Sequence, residues 1–144
     1  MCRNHATVRS LLAELVSNSE TPTVADMEAG LENFSRGTPR NVDSLFVVME
    51  PYFRSLETAA RAVELGRELD IPRVAGLANK SRGPEDEKAI REFCDVRGIV
   101  IAGWVPFDEA VPESERAGKG LLDYRPGSPA AEALRTLADS LEVG

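Results

Sequence analysis

No glycine precedes Gly30 in this chain of 144 residues. A loop of the form G-x-x-x-x-G-K-[ST], which cradles phosphate with backbone N–H groups, is thereby missing ahead of that point. The later "AGKGLL" does not supply one, because it lacks the Ser/Thr ending and the strand, loop and helix around it. Cysteine is nearly absent as well: Cys2 and Cys94 cannot build a disulfide framework. No apolar run approaches the ~20 residues that a membrane helix needs, and no signal-peptide core is visible, so a cytoplasmic protein without a membrane span is expected. Basic side chains are outnumbered 17 to 24, for a net charge of −7. That balance argues against nucleic acid or an anionic membrane as partner. Repeats and low-complexity tracts are lacking too, the longest polar stretch, "NKSRGPEDEK", being of loop length. With 42% apolar residues, one domain over 1–144 is expected.

What is present reads as alternating helices and strands. In "NHATVRSLLAELVSN", Val8, Leu11, Leu12, Leu15 and Val16 make the apolar stripe of an amphipathic helix that Asn4 can cap. "PTVADM" reads as a short strand ending in an acid, and "VDSLFVVMEP" as a β-branched and aromatic strand closed by Pro51. "SLETAARAVELGRELD" follows as a helix with Ser55 as its cap. "IPRVAGLANK" is a strand, and "GPEDEKAIREFCDVRG" a helix with proline and acids in its first turn, where the helix dipole favours them. "GIVIAGWVP", a continuous apolar run, predicts a strand buried on both faces. "DEAVPESERAG" predicts a short helix broken around Pro112, and "SPAAEALRTLADSLEV" a terminal helix capped by Ser128 with Pro129 at its first position. The alternation predicts an α/β class, a three-layer αβα arrangement around a mainly parallel sheet. Cys94, beside Phe93 on a helix, reads as a buried small apolar residue.

In parallel sheets, ligands gather beyond the carboxyl ends of the strands. Asp26, followed by Gly30, can hold a magnesium-bound water while the glycine admits a phosphate close to the backbone. A turn or helix cap is the plainer use of such an aspartate. Asn79 and Lys80 place an amide where paired donor and acceptor can read a base edge, or else form an ordinary polar turn. Pro106, Phe107 and Asp108 end the last strand, with the acid able to cap the following helix.

The order and spacing of these stretches carry a family resemblance. "ADMEAGLENFSRGTPRNVDSLFVVMEP", "RSLETAARAVELGRELDI", "ANK" and "GWVPFDEAVPESERAG" resemble the carbon monoxide dehydrogenase maturation factors, a branch of the MinD/ParA-like P-loop ATPases. The resemblance covers about positions 2–120. It implies an incomplete P-loop NTPase fold, with Asp26 towards the magnesium shell, Asn79 towards adenine, Lys80 beside it as a further cofactor-binding candidate, and Pro106, Phe107 and Asp108 lining the base. ATP with magnesium is the implied cofactor, and nickel assembly in carbon monoxide dehydrogenase the implied role. The family's opening strand and "GKGGVGKT"-type loop have no counterpart here, so the chain looks like the C-terminal portion of such an ATPase.

Members of that family also carry a Cys-X-Cys motif, of which Cys2 matches the second cysteine. With His5 three residues on, a two-fold dimer can offer four ligands to zinc or nickel; a frayed terminus without metal is the alternative. Two functions stay open: nucleotide-dependent metal delivery to a client such as carbon monoxide dehydrogenase, or a non-catalytic, dimerising scaffold. A loop encoded upstream of Met1 is a third possibility. An uncovered apolar strand edge predicts a homo-oligomer.

Overall fold

The computed structural model describes residues 23–27 and 42–142. The predicted first helix, Gly30, and the candidate metal ligands Cys2 and His5 lie outside them. The described elements run β1 (Ser44–Met49), α1 (Phe53–Glu68), β2 (Arg73–Ser81), α2 (Pro84–Val96), β3 (Ile101–Pro106), α3 (Ala110–Arg116), α4 (Leu121–Tyr124) and α5 (Pro129–Glu142). Among the described residues the sheet has three strands in the order β1-β2-β3, flanked by helices, and β2 pairs with β3 in parallel. The α/β class expected from the alternation is thus present.

The described backbone groups into two compact units, one of residues 23–27, 42–45 and 61–74, the other of residues 46–60 and 75–142. In the first, Ala62, Val63 and Ile71 are buried. Its helical segment stops at Asp70, whose left-handed φ of 57° lets the Ile71 N–H return to the Gly66 carbonyl at 3.2 Å. That closure satisfies a carbonyl the helix would otherwise leave open.

The second unit holds the larger core. Met49, Ala78, Ile90, Cys94, Ala110 and Ala131 are wholly shielded from water. Ile90 and Cys94 stand four residues apart on the inward face of α2, and each such aliphatic burial stabilises by roughly 1.5–3 kcal/mol for an isoleucine. The Cys94 Sγ lies 3.6 Å from the Met49 Sδ, which makes it the packing residue expected. Desolvation pushes its thiol pKa up. Gly76 is glycine because a β-carbon there would run into the Met49 methyl group. Helix α2 opens on Pro84 and stops at Gly98, whose φ of 61° suits glycine.

Four local expectations are corrected. Residues 23–27 form no strand, and Val24 is 91% exposed. A strand is held by ladder bonds and a buried face, and an apolar side chain left in water provides neither. Helix α1 begins at Phe53, so Ser55 lies inside its first turn; its hydroxyl accepts the Glu50 N–H at 2.9 Å and ties down the end of β1. Pro112 does not break α3, because it sits in the first turn, where a missing N–H costs no intrahelical bond. Finally, β3 is not buried on both faces: only Val105 is buried along it, since it is an outer strand of the described sheet.

Candidate functional site

Of the described site residues, Asn79, Lys80, Pro106, Phe107 and Asp108 lie at the carboxyl ends of β2 and β3. Asn79 faces Val105 in the ladder and Ser81 faces Pro106, so the register skips Lys80. Lys80 has a φ of 58°, a left-handed conformation that costs a non-glycine residue about 1 kcal/mol or more. An extra residue of this kind is a bulge, a device that re-aims side chains at strand ends. Beyond it, the Phe107 N–H donates to the Ser81 carbonyl at 2.8 Å, joining the two strand ends.

Lys80 reaches the end of β1, where its Nζ lies 2.7 Å from Glu50 Oε1. The hydrogen bond to Glu50, and then the carboxylate's charge, raise the Lys80 pKa against the opposing effect of burial. Both side chains are partly in water, so the pair contributes about 0–1 kcal/mol. Glu50 as its partner was not legible in the sequence, because nothing in residue spacing says that the two strand ends are neighbours. Arg82 stands among the strand-end residues, but its pairing with Phe107 was not legible for the same reason. Its guanidinium lies 3.6 Å from the centre of the Phe107 ring, a cation–aromatic contact that begins three residues beyond Asn79 in the chain. The Arg82 N–H is in turn held by Asp86 Oδ2 at 2.8 Å.

Asp108 is committed to structure. Its Oδ1 accepts the Ala110 N–H at 2.9 Å and its Oδ2 the Ala130 N–H at 3.0 Å. One carboxylate therefore caps two helices, α3 and α5, at their electropositive starts. The Ala130 N–H holds its pKa below the usual aspartate range against the effect of burial, with help from the Ala110 N–H, the Ser128 hydroxyl and Arg125. Ser128 in turn accepts the Ala131 N–H at 3.3 Å, as its place before Pro129 predicts. Asp26 is exposed in irregular backbone, and Asp108 has both oxygens engaged, so neither sits in a preformed ion site. Among the described residues no cluster of three His, Cys, Asp or Glu side chains can hold a metal, and no helix is long and apolar enough to cross a membrane.

A parallel sheet with its polar groups at the carboxyl strand ends is the architecture of P-loop nucleotide-binding proteins, and solved structures share it. The MinD cell division protein of Aquifex aeolicus superposes with a TM-score of 0.73 over 98% of this chain and 61% of its own, at 16% identity. The cell division ATPase MinD of Pyrococcus furiosus gives 0.72 over 96% of this chain and 58% of its own, also at 16% identity. No protein-family model matches. Sequence likeness is stronger. The carbon monoxide dehydrogenase accessory protein CooC of Rhodospirillum rubrum is 39% identical over 126 residues, 88% of this chain and 47% of that protein. An uncharacterised ATP-binding protein of Methanocaldococcus jannaschii is 36% identical over 83% of this chain and 46% of its own length. The chain belongs to the CooC-like branch of the MinD/ParA P-loop ATPase family. It spans about half the length of these relatives.

Proposed function

We propose that this chain provides the base-binding end of an ATP site in an accessory protein for metallocentre assembly, with nickel as cargo and a carbon monoxide dehydrogenase as client. The observation that carries the reading is the juxtaposition of Asn79 with the Arg82–Phe107 stack at adjoining strand ends. An amide offers adenine a donor and an acceptor together, and a flat cationic stack suits a base face. These residues fit the base; the described residues hold no counterpart of a phosphate cradle, and Asp108 serves as a cap rather than a ligand. Asp26 and Gly30 stay the magnesium and phosphate contacts that the family resemblance implies. Without the loop, the electrostatic stabilisation on which phosphoryl transfer depends is lacking, so the 144-residue chain by itself is expected to bind without hydrolysing.

Likeness to the carbon monoxide dehydrogenase accessory protein CooC supports the client assignment; nickel as cargo and the cytoplasm as compartment are what the family resemblance implies. Cys2 and His5, paired across a homodimer, are the proposed zinc or nickel ligands. Calorimetric titration with ATP and magnesium tests the reading: saturable binding that prefers ATP to GTP is expected, and no binding of either at millimolar concentration overturns it. A scaffold descended from the same family is the second reading, favoured by Asp108, both of whose oxygens are spent on helix starts. It predicts self-association with no nucleotide response.

A further inference from the structure

At its carboxyl end the ladder between β2 and β3 skips one residue of β2, and that residue is a lysine in a conformation usually left to glycine or asparagine. Its surroundings are fixed on two sides. Upstream, the Lys80 ammonium is bound by Glu50, which is itself anchored because its N–H is held by the Ser55 hydroxyl at 2.9 Å. Downstream, the Ser81 carbonyl takes the Phe107 N–H, and the next residue, Arg82, lies on the Phe107 ring and is held by Asp86. Asn79, between these anchors, has no side-chain hydrogen bond to another described residue. An unengaged amide beside a doubly anchored bulge is a group set out to be used.

We propose that the Glu50–Lys80 ion pair is a positioning pair: it holds the bulge at Lys80 open and so fixes the direction in which the Asn79 amide meets a base. The pair need not touch the ligand. Released from Glu50, Lys80 would relax towards negative φ, the peptide joining it to Asn79 would turn, and the amide would lose its fixed aim. Discrimination of adenine from guanine depends on that aim, because the two purines exchange donor and acceptor at the edge an amide reads. The adenine part of this inference rests on the function proposed above; the positioning of the bulge does not.

Two measurements on the whole chain keep these parts separate. Amide hydrogen exchange at residues 79–81, followed by NMR without nucleotide, reports the bulge. Glu50→Gln and Lys80→Met are each expected to speed it about twofold to fivefold, the size a partly exposed ion pair can supply. The charge-swapped double variant Glu50→Lys/Lys80→Glu should recover most of the protection. Unchanged exchange in both single variants, or a swap that behaves like the sum of its parts, overturns the positioning role. Fluorescent ATP and GTP analogues then report selectivity: the same single variants should lose about twofold to fivefold in the preference for ATP, with the swap restoring it. A wild-type chain that binds neither analogue overturns the nucleotide reading, while the exchange rates still decide the positioning role. A preference untouched in all variants overturns the link between the pair and Asn79.

Discussion

At the scale of single residues, Asp108 matters most, because one side chain completes the starts of two helices that are distant in sequence. Asp108→Ala is expected to destabilise by about 1–4 kcal/mol, the sum of two caps at ~0.5–2 kcal/mol each, measured as a lowered urea midpoint. The pH dependence follows from the lowered pKa. Its contribution is complete above the unfolded aspartate value of ~3.9 and fades as the pH falls below that towards the folded value. Wild type should therefore lose stability faster than Asp108→Asn on acidification through that window, and equal slopes would remove the double cap from the account. Cys94 gives a second check. Buried, with its thiol pKa pushed up, it should stay unmodified by iodoacetamide in native buffer and react only in denaturant, as peptide mapping would reveal. The capping half of the behaviour of Asp108 was legible, since an acid two residues ahead of a helix is a familiar start. Its bond to Ala130 was not, being a contact across 22 residues that no local pattern encodes.

At the scale of elements, the helices and the later strands follow from apolar spacing and from proline and serine at their starts. Pro84, Pro129 and Ser128 sit where helix chemistry puts them. The misplaced element is the strand through residues 23–27, where an apolar run looks like a strand whether or not a neighbour is there to pair with it. Ser55 misled for a related reason: a serine ahead of a helical stripe signals a cap, yet its hydroxyl serves the strand behind it. The bulge at Lys80 left no trace, because glycine or asparagine is the usual sign of a left-handed residue and lysine is not. Packing at this scale is testable through Gly76, where a methyl group collides with Met49. Gly76→Ala should cost about 1–3 kcal/mol in denaturant unfolding, and Met49→Leu, by making room, should recover part of it.

At the scale of the whole molecule, the described sheet ends in outer strands, and Val48 on β1 is 55% exposed. Strand edges of this kind invite pairing with another chain. Light scattering at micromolar concentration is expected to give a mass above that of one chain, and a strictly monomeric protein would count against self-association through these edges.

The carboxylate shared by α3 and α5 also says where the chain can be rebuilt. It works as a clasp that shuts a long excursion of backbone, since the residues it joins are 22 apart and the stretch between them includes Gly118, Gly120 and Gly127. Shutting a loop costs more as the loop grows, but only logarithmically, by about 0.6 kcal/mol for each doubling. A Gly/Ser insert at Gly118 that doubles the excursion should therefore be tolerated nearly without loss. The same insert combined with Asp108→Ala should cost markedly more than the two changes added together, because the clasp is what keeps the longer loop from opening.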